Sequence, residues 1–221
     1  MHRRVWGFML ISWLGMGCSY IPFLGSSVPE EEIRSDYNVL FNGGSLSEWV
    51  VMGNPEGFQV VNDVIHSDGG KGGNWLRSKK EYADFVLRLE YRVSPGGNSG
   101  VFLRCTEQGN PWETGYECQI SNEQPPRDDL HCTGSLYGYV AAAPRPDESP
   151  EVWHTYEIMC KQKRILVFVD GHRTVNINTD EAPALQNKPA SGYIGLQDSH
   201  TGEGMWVEYR NIRFMELKTQ P

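Results

Sequence analysis

From residue 58 onward, most of the chain alternates apolar and polar side chains with a period of two. The clearest run is 82–93, in which Phe85, Leu87, Leu89 and Tyr91 share one face while Val86, Arg88, Glu90 and Arg92 share the other. That period belongs to a strand with one face buried. Similar runs occupy 58–61, 75–77, 99–105, 114–121, 153–160, 165–169, 174–177, 193–197 and 206–217. Asp170-Gly171 separates two of them and is a hairpin turn signal. Helical spacing is almost absent. So many short strands predict an all-β fold, a jelly-roll sandwich of two antiparallel sheets, with a barrel as the alternative.

Composition agrees with this reading. Of 221 residues, 39% are hydrophobic and 11% aromatic, enough for a core, and 24 Gly and 13 Pro suit frequent turns. The formal net charge of −8 disfavours nucleic acid as a partner and is compatible with a neutral ligand such as a sugar.

The first 18 residues change the picture at one end. Arg3 and Arg4 precede a short apolar stretch, too short to span a bilayer comfortably, so 1–18 reads as a signal peptide. Leu14-Gly15-Met16-Gly17-Cys18 resembles a bacterial lipoprotein signal, with Cys18 the lipidated residue; an ordinary cleaved signal is the alternative. Residues 19–36, with Pro, Gly, Ser and the run Glu30-Glu31-Glu32, read as a linker. The folded domain is then 37–218. The expected location is outside the cytoplasm, in a bacterial periplasm or cell envelope, with membrane contact only through the lipid anchor.

Cys105, Cys118, Cys132 and Cys160 show no zinc spacing. They read as core residues or, in an exported protein, as disulfide partners. No metal site is expected. The sequence demands no cofactor, although a structural calcium is compatible with a lectin-like sandwich.

Alternation also places candidate chemistry. In Gly115-Tyr116-Glu117-Cys118-Gln119-Ile120, the Tyr, Cys and Ile face one way and Glu117 and Gln119 the other. Arg104 is expected to share a face with Phe102, and Gln197 with Tyr193 and Gly195, so Arg104, Glu117, Gln119 and Gln197 can line one groove. A carboxylate beside a guanidinium can accept a proton while the cation holds developing charge; a structural ion pair across neighbouring strands is the plainer alternative. Trp112, in a loop, can stack on a sugar or plug the end of the sandwich. His200 follows Gln197-Asp198 directly after a strand. Trp49, Trp75, Trp153 and Trp206 read as core. The closely spaced acidic strings of laminarinase-like sandwich hydrolases, which supply two carboxylates, are missing.

Several segments in order resemble the 3-keto-disaccharide hydrolase domain family. They are Leu40-Phe41-Asn42-Gly43, Asn98 through Arg104, Gly115 through Ile120, Thr133 through Gly138, Gly192 through Asp198, and Tyr209 through Phe214. The resemblance covers about residues 37 to 217. It implies a concanavalin A-like sandwich acting on glycosides oxidised to a ketone at carbon 3. Such a ketone acidifies the carbon-2 proton, so one base and one oxyanion stabiliser suffice for elimination, and water then adds. On the matching positions, Glu117 or His200 is the expected base and Arg104 the enolate stabiliser. Asn98, Gln119, Tyr137, Gln197 and Asp198 are expected to bind substrate with Trp112. The implied partner is an oxidised di- or oligosaccharide or glycoside. The rival is a non-catalytic, lectin-like carbohydrate-binding module on the same scaffold. Family members place His-Gly directly after Gln-Asp; here Ser199 intervenes before His200 and the loop is longer.

Overall fold

The computed structural model describes residues 37–218. The signal segment, Cys18 and the 19–36 linker lie outside the described residues.

Thirteen strands are described: β1 (Asn38–Phe41), β2 (Trp49–Val51), β3 (Phe58–Val61), β4 (Val64–Asp68), β5 (Trp75–Tyr82), β6 (Phe85–Val93), β7 (Asn98–Cys105), β8 (Tyr116–Ser121), β9 (His154–Lys161), β10 (Arg164–Val169), β11 (His172–Asn178), β12 (Gly192–Gln197) and β13 (Trp206–Glu216). A single helical turn, α1 (Pro111–Thr114), precedes β8. The larger sheet has the order β11-β10-β9-β6-β13-β4-β3, with β1 also pairing with β13, and the smaller has the order β2-β5-β12-β7-β8. All pairings are antiparallel. The all-β, two-sheet expectation holds.

The alternation in β6 is realised as read. Phe85, Leu87, Leu89, Tyr91 and Val93 are buried against the smaller sheet, which contributes Leu76, Val101, Leu103, Cys118, Ile120, Ile194 and Leu196. Each such side chain adds about 1.5–3 kcal/mol by leaving water. The run that begins at Tyr82 is not one strand. Tyr82 ends β5 in the smaller sheet, the chain turns at Ala83-Asp84, and Phe85 opens β6 in the larger. The buried Asp84 marks this corner.

Two tryptophans expected in the core face outward. Val207 and Tyr209 take the inward positions of β13, and His154 and Tyr156 those of β9, so the period of two turns Trp206 and Trp153 out. There Arg210 and Arg92 lie over the Trp153 ring, 3.9 and 4.9 Å from its centroid. Cys105, Cys118, Cys132 and Cys160 are all free and buried, which selects the core reading over disulfides. Asp170 and Gly171 both have positive φ (48° and 76°), the backbone of a tight hairpin between β10 and β11.

Candidate active site

The face of the smaller sheet turned away from the core carries a cavity of about 660 Å³. Its floor is set by strand register. Gly195 of β12 lies opposite Phe102 of β7, Phe102 opposite Glu117 of β8, and Gly100 opposite Gln119. The two glycines leave space that larger neighbours occupy. A Cβ on Gly195 would stand 2.6 Å from Cε3 of Trp75, and one on Gly100 would stand 2.4 Å from Oε1 of Glu117. The indole therefore lies over one glycine and the carboxyl group over the other, and neither glycine tolerates a side chain without displacing its neighbour.

Glu117 is 4% exposed and faces the cavity. Burial raises its pKa to about 8, against the opposing field of Arg127. The Gln119 amide is oriented by its neighbours. With its nitrogen toward the two acceptors, it donates to Oε1 of Glu117 (3.0 Å) and to the Ser99 carbonyl (2.9 Å), while its oxygen accepts from Asn98 Nδ2 (3.3 Å). Asn98 also donates to Glu123 Oε2 (2.7 Å). Glu123 accepts a further hydrogen bond from Arg127 Nε, and Arg127 Nη1 reaches Tyr137 Oη at 3.4 Å. Those bonds, the Arg127 one foremost, hold the Glu123 carboxyl below its usual range. A polar chain thus runs from Glu117 through Gln119, Asn98 and Glu123 to Arg127 and Tyr137.

The opposite wall comes from the end of β12 and the loop after it. Gln197 is 8% exposed, lines the cavity, and its Oε1 has no hydrogen-bond partner. That buried acceptor calls for a donor from a ligand or water. Asp198 accepts from the Asn74 backbone (2.8 Å), and burial raises its pKa to about 6. His200 also lines the cavity, and burial lowers its pKa, disfavouring the charged imidazolium. Trp112, on α1, stands half-exposed at the rim. Among the described residues, no three His, Cys, Asp or Glu side chains gather into a group that could hold a metal ion.

The structure therefore brings Glu117, His200, Asn98, Gln119, Tyr137, Gln197, Asp198 and Trp112 to one cavity. It does not bring Arg104 there, which corrects the expected Arg104–Glu117 pairing. Between the register pairs Phe102–Gly195 and Cys105–Tyr193, two residues of β7 oppose one of β12. Arg104 adopts φ 52° at this bulge. The extra residue shifts the alternation, so Cys105 joins Phe102 and Trp75 on the cavity side and Arg104 turns away. Its guanidinium, 1% exposed, donates to the Ala83 and Gln162 carbonyls (2.7 and 2.8 Å) and to Asp84 Oδ1 (3.1 Å). Arg104 is a structural clamp at a corner of the sandwich.

The cavity's arginine is Arg127, which sequence reasoning missed. It sits in Glu123-Gln124-Pro125-Pro126-Arg127-Asp128, where no periodicity assigns a face. Asn74 and Met52 were missed for the same reason, since both sit outside the strands. Trp75, expected in the core, is buried but lies on the cavity face. The glycines at 100 and 195, each inside a strand, were the signal that something large lies over the sheet there.

Comparison with known proteins agrees with this architecture. A 3-keto-disaccharide hydrolase of Bacteroides thetaiotaomicron is 25% identical over 235 residues, covering 82% of this chain and 78% of that protein. The crystal structure of a candidate glycosyl hydrolase from Parabacteroides distasonis superposes with a TM-score of 0.72 at 22% identity, over 82% of this chain and 100% of that one. A carbohydrate-binding module from Bacillus subtilis shares the fold with a TM-score of 0.52 at 11% identity, over 80% of this chain and 98% of that one. Residues 36–215, nearly the whole described region, match one domain family, and the chain belongs to it: the 3-keto-alpha-glucoside-1,2-lyase-like domain family.

Proposed function

We propose that this protein cleaves glycosides whose sugar carries a ketone at carbon 3, with Glu117 as the base and Arg127 as the enolate stabiliser. The observation that carries the proposal is the Glu117 carboxyl group. It is buried over Gly100, raised to about 8, and faces a cavity that also holds Arg127. A carboxylate of that basicity suits removal of an acidified carbon-bound proton near neutral pH. Glu117 takes the proton from carbon 2 and the electron pair moves onto the carbon-3 oxygen, where Arg127 and Tyr137 stabilise it. The enolate re-forms the ketone as the bond from carbon 1 to the glycosidic oxygen breaks. Protonated Glu117 returns its proton to the departing oxygen, giving an alcohol and a 1,2-unsaturated ketone. Water then adds across that double bond, hydroxide to carbon 1 and a proton to carbon 2. One carboxyl group serves the whole sequence, so the reaction does not need the closely spaced acidic string of laminarinase-like hydrolases.

The remaining residues bind. Gln197, with its unpartnered Oε1, accepts a sugar hydroxyl, as does Asp198 when ionised. Asn98 and Gln119 mainly hold Glu117 in place. The His200 imidazole offers a further hydrogen bond. Arg127, the arginine that lines the cavity, is already paired with Glu123, which supports a neutral substrate over an acidic one.

A chemically prepared 3-keto-glucoside is the test substrate, with the parent glucoside and Glu117→Gln as controls. Turnover of the keto compound alone, abolished in the variant, is expected. Saturable binding without turnover would instead support a carbohydrate-binding module, a reading that the half-exposed Trp112 at the rim favours. Export and anchoring through Cys18 belong to the same proposal. Cys18→Ala should release the protein from the membrane fraction of the producing cell; unchanged membrane retention would contradict the anchor.

A further inference from the structure

Three tyrosines of the larger sheet point through the core toward the back of the cavity sheet: Tyr91 on β6, Tyr156 on β9 and Tyr209 on β13. All are essentially inaccessible to solvent. Tyr91 and Tyr209 lie directly opposite each other in register. The three side chains occupy similar places, yet their hydroxyls do different things.

The Tyr209 hydroxyl meets Ser99 Oγ at 2.6 Å and lies 3.3 Å from the Gln197 carbonyl and 3.4 Å from that of Gly100. Ser99 Oγ donates to the same Gln197 carbonyl at 2.8 Å. That carbonyl needs partners, because the β7–β12 register ends one residue earlier, at the pair Leu196–Val101. Gln197 is where the chain leaves the sheet to carry Asp198 and His200 along the cavity, and the next link to β7 is the His200 amide to the Asn98 carbonyl at 3.4 Å. Two buried hydroxyls therefore finish a ladder that backbone pairing leaves incomplete. Tyr156 braces β8 differently, at a Gln119 carbonyl that already accepts from the Gly134 amide at 3.0 Å. Its hydroxyl donates to the Gln119 carbonyl and accepts from the Gly134 amide (2.8 Å), and Gln119 is the residue whose side chain bonds to Glu117. Tyr91 differs, since its buried hydroxyl has no hydrogen-bond partner.

We propose that Tyr209 with Ser99, and Tyr156, are positioning residues that hold the cavity's two walls in place from behind the sheet through the Gln197 and Gln119 carbonyls, and that Tyr91 has no such role. The proposal rests on the reaction argued above. It predicts that hydroxyls that never touch substrate govern catalysis, and that an equally buried hydroxyl beside them does not.

The experiment compares Tyr209→Phe, Tyr156→Phe, Ser99→Ala and Tyr91→Phe in the full chain. Each phenylalanine keeps the ring and removes one oxygen, so packing is preserved. Loss of a single hydrogen bond should lower kcat/KM on the 3-keto-glucoside by about three- to tenfold in the first three variants. Tyr91→Phe should match the wild type. The double variant Ser99→Ala/Tyr209→Phe should fall no further than its weaker parent, because both act through one carbonyl. A second readout needs no turnover. Titration of the His200 ring, followed by NMR and assigned with His200→Asn, should move back toward the ordinary imidazole value in Tyr209→Phe and stay put in Tyr91→Phe. Equal losses in all three tyrosine variants, or an unchanged His200 titration in Tyr209→Phe, would overturn the proposal. If the wild type itself fails to turn over the keto compound, the reaction assignment fails, and the His200 titration still decides whether Tyr209 positions the wall.

Discussion

Arg104 and Arg127 are both paired with an acid, and by sequence pattern Arg104 was the better candidate for the cavity. The structure reverses that. Arg104 is buried at a corner of the sandwich, where its guanidinium joins the Ala83-Asp84 turn to the Gln162 turn. Arg127, in an aperiodic loop, reaches the cavity beside Tyr137 and within the field of Glu117. The difference lies in the backbone. A single bulge in β7 shifts the period of two and turns one arginine from chemistry to architecture. The two arginines should therefore fail in different ways.

The largest effects separate them. Arg127→Met should lower kcat by about 10²–10³-fold, the usual cost of losing an oxyanion donor, with little change in Tm. Arg104→Met should do the opposite. Leaving Asp84 buried without its cation costs about 3–5 kcal/mol of stability, while the protein that remains folded keeps its kcat. Thermal melts and kinetics on the same preparations decide. A large activity loss without destabilisation in Arg104→Met would break the comparison.

The floor comes next. Gly100→Ala puts a methyl group where the Glu117 carboxyl lies, so kcat should fall by about tenfold or more while the substrate-binding wall around Gln197 is untouched. Wild-type kinetics in this variant would remove Glu117 from the position claimed for it.

The pH dependence is smaller but specific. Because the base acts ionised, kcat/KM should rise with pH through an apparent pKa of about 8. His200→Asn should keep that limb; a limb below the ordinary imidazole value, lost in His200→Asn, would make His200 the base. The same group sets a stability signature. Its folded pKa lies above the unfolded value of 4.5, so its favourable contribution is present below 4.5 and disappears as pH rises through about 8. Glu117→Gln should consequently melt higher than the wild type at pH 8 and close to it at pH 4. The smallest expected effect is at the rim, where Trp112→Ala should raise KM by about threefold at constant kcat.

Much of the fold and half of the site were legible in the residues. The alternation in β6 and β8 placed the core face correctly and put Glu117 and Gln119 together on the other face. What escaped was set by departures from period two. The β7 bulge misdirected Arg104. The turn at Ala83-Asp84 was hidden inside an unbroken alternating run. Strands β1, β2 and β4 are only three to five residues long and carry too few positions to show a pattern. Arg127 and Asn74 sit where the chain is irregular, so only long-range packing brings them to the cavity. Trp153 and Trp206 face outward because phase, which outweighs apolar character, decides which side a strand residue occupies.

The central claim is that a carbon-2 proton leaves to Glu117, and carbon 2 of the product records it. The measurement is turnover of the 3-keto-glucoside in D₂O, with the released keto sugar read by NMR at times too short for uncatalysed enolisation. Elimination followed by hydration predicts deuterium at carbon 2 of every sugar released, and neither release nor exchange in Glu117→Gln. Released sugar that retains protium at carbon 2 would mean direct displacement at carbon 1, and would contradict the account.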